Sequence, residues 1–278
     1  MTEYLEIEGG RLAYDVTGEG PLVVLSHGMG DGREAYRFLT ARLVAAGYRV
    51  AKADLRGHGE STTGWSSYTR TDTANDLLAL IRHLGGPAVV VGHSFSGGSA
   101  TIAAALDPHL VTAVVEIGPF TRAQKADLGG LLRDGRHRKG MMLLMATGVF
   151  RSVRMWRRYL DHAYPGDKPA DYDAYMVALE QALRRPGRMG VVGKMGMSTP
   201  TDAGAQLRNL RVPALVVMGT LDPDWRDPRA EAEGIVADMP AGRGAIAMID
   251  GAGHYPHAQF SDTVADVMLP FLKEHARG

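Results

Sequence analysis

The run VVVGHSFSGG, Val89 to Gly98, sets a serine where it could act as a nucleophile. An apolar strand pattern runs into Gly92, Ser94 follows on the turn, and small residues then open a helix. A serine on a tight strand-to-helix turn projects its hydroxyl out of the sheet, and the helix N-terminus beneath it offers unpaired N–H groups. Gly92 keeps that turn free of side-chain clash. The usual five-residue pattern has glycine two positions after the serine; here Ser96 stands there, small enough to preserve close helix–strand packing.

Serine alone is a weak nucleophile and needs a base, an orienting acid and donors for a developing oxyanion. His254, in IDGAGHYPHAQ just after the last apolar run, is the candidate base, with His257 its rival farther into the final segment. Asp222, in VVMGTLDPD, is the candidate acid that would accept the second ring proton and fix the tautomer. Asp224 and Glu116 are the weaker alternatives for that role. The loop HGMGDG, His27 to Gly32, follows the run PLVVLS, and its glycines let backbone amides point inward. Met29 and Phe95 are therefore expected to supply the two oxyanion amides. His27, and Arg56 and His58 in DLRGHGES, are expected to hold loops rather than react.

These residues need elements to position them. Residues 4–8 and 11–17 read as a hairpin turned at Gly9-Gly10. Strands are expected at PLVVLS, YRVAKADL, 88–92, 110–118, 213–219 and 245–250, with amphipathic helices at 33–47, 71–84, 96–106 and 262–275. Strand–helix alternation, with strands apolar on both faces, indicates a mostly parallel sheet covered on both sides. Residues 120–200 break the rhythm. They are rich in Met and Arg, helical by pattern, and carry 15 basic against seven acidic residues. Their positive charge serves either a solvated helical face or an anion-attracting rim.

The composition bounds the remaining possibilities. The 278 residues, 45% hydrophobic and 22% charged, suffice for a large core without staples. Cysteine is absent, which excludes disulfides, thiol nucleophiles and thiolate-bound metals. A net charge of zero gives no global field to recruit nucleic acid or an acidic membrane. The opening MTEYLEIEGG lacks the basic and apolar regions of a signal peptide, so a cytoplasmic location is expected. The apolar run from Met141 to Phe150 is too short to span a bilayer. Oligomeric state leaves no trace in the sequence.

Oxyanion loop, nucleophile, acid and histidine thus occur in the order HGMG, GHSFSGG, GTLDPD and GAGHYPH, each just past a strand. That ensemble resembles the α/β-hydrolase superfamily, with its order Ser, Asp, His. The likeness covers the chain outside 120–200 and is nearest to the capped esterase, lactonase and C–C-bond hydrolase group. It implies a core formed by 1–119 and 201–278, with 120–200 as a helical cap inserted after the sixth strand. It also implies acyl-enzyme chemistry on a small molecule, with no metal or organic cofactor. Serine at 94 argues against epoxide hydrolases and haloalkane dehalogenases, which resemble this fold but use aspartate there.

Substrate choice is expected to lie in the cap. Met141, Met142, Leu143, Leu144, Met145 and Phe150 form either its packing or a pliable pocket wall. Of the candidate lining residues, Met141, Met145, Trp156 and Tyr159 are named first, with Tyr164 beside them. The expected substrate is a moderately hydrophobic ester or lactone. C–C cleavage, acyl transfer or cofactor-free perhydrolysis by the same residues are alternatives, and a non-catalytic binding module is the remote one.

Overall fold

The computed structural model describes residues 1–123 and 134–276. The chain opens with the strands β1 (Glu3–Ile7) and β2 (Gly10–Thr17), an antiparallel hairpin. Next come β3 (Leu22–Ser26), a 3-10 turn over Arg33–Tyr36 that leads into α1 (Arg37–Ala45), then β4 (Arg49–Ala53) and α2 (Arg70–His83). They are followed by β5 (Ala88–His93), α3 (Phe95–Leu106) and β6 (Val111–Ile117). Four helices of the region 120–200 are described: α4 (Gly135–Phe150), α5 (Val153–Ala163), α6 (Tyr172–Leu183) and α7 (Arg188–Met197). The chain closes with α8 (Thr201–Leu207), β7 (Ala214–Gly219), α9 (Pro228–Ala237), β8 (Gly244–Ile249), α10 (Pro256–Gln259) and α11 (Ser261–His275). Within 120–200, residues 124–133 lie outside the described residues.

The eight strands form one sheet in the order β1-β2-β4-β3-β5-β6-β7-β8. Pairing is antiparallel through β1, β2 and β4 and parallel from there on. Strands β3, β5 and β7 are buried at every position, which is why they read as continuous apolar runs. Successive side chains go to opposite faces. Val24, Val90, Val114 and Val216 pack with Leu77, Ile81 and Ala103, whereas Val23, Val89, Val115 and Val217 pack with Leu39, Leu43 and Met268. Two cores thus clamp one sheet.

Caps set the helix starts near the site. Thr69 and Asp72 form a reciprocal capping box at the head of α2. Asp134 accepts from the amides of Arg136 and His137 to open α4, and Ser152 accepts from Met155 to open α5. The short α10, which the periodicity does not announce, begins on Pro256, whose fixed φ suits a first helical position.

Candidate active site

Every residue from Ala88 to Ala104 is buried except Ser94, which is partly exposed. Its backbone sits at φ 53°, ψ −116°, a conformation that costs an L-residue on the order of 1–3 kcal/mol. The surroundings over-determine it: the Ser94 amide donates to Ile117 at 2.9 Å, and its carbonyl accepts from Gly97 at 3.0 Å and Phe120 at 3.1 Å. A Cβ at Gly92 would lie 2.2 Å from the Ser96 carbonyl oxygen, so only glycine lets the turn close. Ser96 does more than fit. Its hydroxyl donates to the His27 carbonyl at 2.6 Å and accepts from Ser26 at 3.0 Å, tying the Ser94 turn to the HGMG loop.

That loop is held from behind. The His27 ring donates from Nδ1 to Gly28 and accepts at Nε2 from the Leu55 amide. His58 accepts from the Gly30 amide at 2.9 Å. Arg56 grips Asp76 with two bonds of 2.7 Å. These three residues position loops, as their setting in the sequence suggests. Among the described residues, the amides of Met29 and Phe95 find no intramolecular acceptor. A Cβ at Gly28 would approach the Ser94 Cβ to 3.0 Å, so the loop runs directly against the Ser94 turn.

His254 follows β8 on a loop anchored by two backbone bonds. Its amide donates to Ala163 at 3.0 Å and its carbonyl accepts from the His93 ring at 2.8 Å. Nδ1 is bonded to Asp222 Oδ2 at 2.8 Å, so that in the neutral ring with its proton on Nδ1 the acceptor is Nε2. Asp222 itself is oriented by the Asp224 amide, which donates to its Oδ1 at 2.9 Å. Asp224 is also present at the ring: its Oδ2 lies 3.4 Å from Nδ1 and accepts from the Tyr159 hydroxyl at 2.6 Å. Burial by itself would lower the His254 pKa, but the charges of Asp222 and Asp224 outweigh it and push it up to about 9. Burial raises Asp224 to about 6, against the opposing attraction of His254.

Donor atoms of Asp222, Asp224 and His254 fall within 4.8 Å of one another, a grouping that could hold a metal ion. The fit is poor. Two ligands on one tetrahedral zinc, each about 2.0–2.2 Å from the ion, stand roughly 3.3 Å apart, and the 2.8 Å between Nδ1 and Oδ2 is the spacing of a shared proton.

Ser94, Phe95 and His254 open onto a cavity of about 480 Å³ whose walls are mostly apolar. This is the size of a small-molecule site. Met29, Met141, Met145, Trp156 and Tyr159 line it, together with Asp224. Among the described residues no helix is long and apolar enough to cross a membrane.

With this geometry in hand, the comparisons with known proteins are specific. Residues 23–267 match the alpha/beta hydrolase family. The chain belongs to that family. It is 26% identical to the 2-(acetamidomethylene)succinate hydrolase of Mesorhizobium japonicum over 260 residues, 90% of this chain and 87% of that protein. It is also 26% identical to an epoxide hydrolase of Caballeronia sordidicola, over 96% of this chain and 95% of the relative. Among solved structures, the esterase of Exiguobacterium antarcticum superposes with a TM-score of 0.80 at 19% identity, covering 98% of this chain and all of the esterase. That last likeness is one of fold.

Several expectations about this family member need correction. Tyr164 is buried and stacks on Tyr255 at 4.8 Å between ring centres, so it packs under the site instead of lining the cavity. Met142 and Phe150 are 64% and 72% exposed and stand outside the cavity wall, while Leu143 packs against the aromatic cluster of α5 and α6. The remaining candidates of that stretch, Met141, Leu144 and Met145, do line it. His257 is fully buried against Tyr36 and His93, with neither ring nitrogen partnered among the described residues, and burial holds its pKa near 3. Glu116 gives its carboxylate to the hydroxyls of Thr101 and Thr121, not to a histidine. Asp224, the alternative acid offered by the sequence, thus also stands beside His254; the Tyr159 hydroxyl behind it had no signal in the sequence, because it depends on where α5 docks.

Proposed function

We propose that this alpha/beta hydrolase is a serine hydrolase that cleaves a moderately hydrophobic carboxylic ester or lactone through an acyl-enzyme. The observation that carries this reading is the strained, partly exposed Ser94 on the same cavity as a histidine whose Nδ1 is bonded to Asp222. In this reading His254 Nε2 takes the Ser94 proton as the hydroxyl attacks the carbonyl, and Asp222 steadies the imidazolium that forms. The Met29 and Phe95 amides receive the oxyanion. His254 then returns the proton to the leaving alkoxide, and a water activated by the same ring releases the acid.

Serine supports this chemistry over epoxide opening. Attack of a hydroxyl on an epoxide leaves an ether, which water does not cleave, whereas a carboxylate nucleophile leaves an ester that water can. Helices α4–α7 act as the cap in this reading. They reach the loops after β3, β7 and β8 through Trp156, which donates to Gly30 at 2.8 Å, Tyr159, which donates to Asp224, and Ala163, which accepts from His254. Apolar cavity walls favour an uncharged, moderately hydrophobic reacting end.

The test is hydrolysis of a nitrophenyl acyl-ester series, acetate to laurate, by wild type and Ser94→Ala. Turnover of a subset by wild type and none by the variant is the expected result, with the chain-length optimum sizing the cavity. No turnover of any ester by folded wild type would move C–C hydrolysis or ligand binding ahead.

A further inference from the structure

Arg70 lines the same cavity as Ser94 and His254, yet the protein supplies it with no carboxylate partner among the described residues. Its side chain is 5% exposed. Nε donates to the Phe120 carbonyl at 3.1 Å, and Nη1 donates to the carbonyl and hydroxyl of Ser198 at 3.2 and 3.1 Å. The guanidinium stacks 4.4 Å above the ring of Phe95, the residue after the nucleophile. All of these partners are neutral.

Other largely buried arginines are treated differently. Arg56 is gripped by Asp76, and Arg33 is shared among Asp15, Asp54 and Glu60. Arg122, also on the cavity wall, has Asp238 at 3.1 Å. Arg70 instead begins α2, where the helix dipole opposes a cation. Burial lowers its pKa to about 10, and among the described residues the carboxylate acting against this is that of Asp202, which accepts from Thr71. An unneutralised guanidinium under such conditions costs stability, and the cost is offset when a ligand brings the missing charge. With Nε and Nη1 engaged by Phe120 and Ser198, the two N–H donors of Nη2 remain for a carboxylate.

We propose that Arg70 is the binding site for a carboxylate carried by the substrate, so that the molecule hydrolysed at Ser94 is an acidic ester or lactone. Its apolar body lies along the methionine wall, its carboxylate faces Arg70 and its scissile carbonyl faces Ser94. The proposal rests on the serine-hydrolase reading for the identity of the reacting bond, but not for the anion site itself.

Two measurements separate the two ideas. In the first, kcat/KM is compared for matched nitrophenyl esters, hemisuccinate and hemiglutarate against butyrate and valerate. Wild type should prefer the acidic member by at least about tenfold, the scale of one charge-assisted hydrogen bond. Arg70→Gln should erase that ratio, chiefly through KM, while Arg70→Lys should keep part of it. A ratio within one variant is unaffected by a general loss from disturbed packing. In the second, calorimetry measures succinate, glutarate and their monoamides binding to wild type and to Ser94→Ala. Diacid binding that is lost with Arg70→Gln upholds the site even where no ester is turned over, a result that would count only against the hydrolase reading. Wild type that favours the neutral esters and binds diacids no better than monoamides overturns the proposal.

Discussion

Replacing Asp224 with asparagine removes one of the two carboxylates that face His254 while keeping the side chain's shape and an acceptor for the Tyr159 hydroxyl. His254 must be neutral to take a proton from Ser94, so its pKa sets the acid limb of kcat/KM. With that pKa pushed up to about 9, the neutral base is the minor form at pH 7, and the rate should climb with pH through the alkaline range. A unit charge 3.4 Å from Nδ1 is worth on the order of 5 kcal/mol at an effective dielectric of about 20, or roughly three to four pKa units. The Asp224 charge is spread over two oxygens and partly answered by Tyr159, so a downward shift of at least about one unit is the conservative figure. The assay is kcat/KM for one neutral ester between pH 5 and 10, for wild type, Asp224→Asn and Asp222→Asn. Asp224→Asn should move the limb to lower pH and raise the rate at pH 7 by at least about tenfold. Asp222→Asn should lose on the order of 10⁴ on the plateau, since the tautomer is no longer held. A collapsed plateau in Asp224→Asn with Asp222→Asn near wild type would make Asp224 the orienting acid. An unmoved limb in Asp224→Asn would show that this carboxylate carries no charge beside the ring.

Two further outcomes concern the scaffold. Burial pushes Glu116 up to about 7, so the folded state keeps a proton that the unfolded state gives up near 4.5, and stability falls as pH rises between those values. The full effect is on the order of 3 kcal/mol, and Glu116→Gln should therefore gain several degrees of Tm over wild type at pH 8 but not at pH 4; the reverse order would mean the carboxylate is held ionised. Ser96→Ala leaves the His27 carbonyl and the Ser26 hydroxyl without their partner, and should cost about 1–3 kcal/mol in urea unfolding and lower kcat more than KM, whereas unchanged stability would show that another group takes over both bonds.

The parts of the site that could be read from the sequence are those made locally. Ser94, Met29, Asp222 and His254 each stand a few residues past a strand, and strand ends are marked by apolar runs and glycine. The order of those runs was enough to anticipate the mostly parallel sheet. Residues whose role depends on a distant partner gave no such signal. Tyr164 looks like a cleft residue by composition, and only the stack with Tyr255 shows it to be packing. Arg70, one position before the helix expected at 71–84, carries no signal until Ser198, 128 positions away, is seen against it. Met142 and Met145 are chemically alike in one apolar run, but only Met145 reaches the cavity, because the rotation of α4 decides it.

On the proposed reading, helices α4–α7 bear on the chemistry as well as on the shape of the cavity. Trp156 and Tyr159 are three residues apart on α5, hence on one face, and their rings stack at 4.9 Å. Trp156 donates to Gly30, next to Met29 in the loop after β3, and Tyr159 donates to Asp224 beside His254. A shift of α5 would disturb the loop proposed to receive the oxyanion and the field at the histidine together. In the same way, α7 leads into Ser198, which binds Arg70. Movement of these helices, or a substitution that re-docks them, should therefore change the pH profile and the preference for acidic substrates along with chain-length selectivity. A cap that only fenced the cavity would alter chain-length selectivity alone.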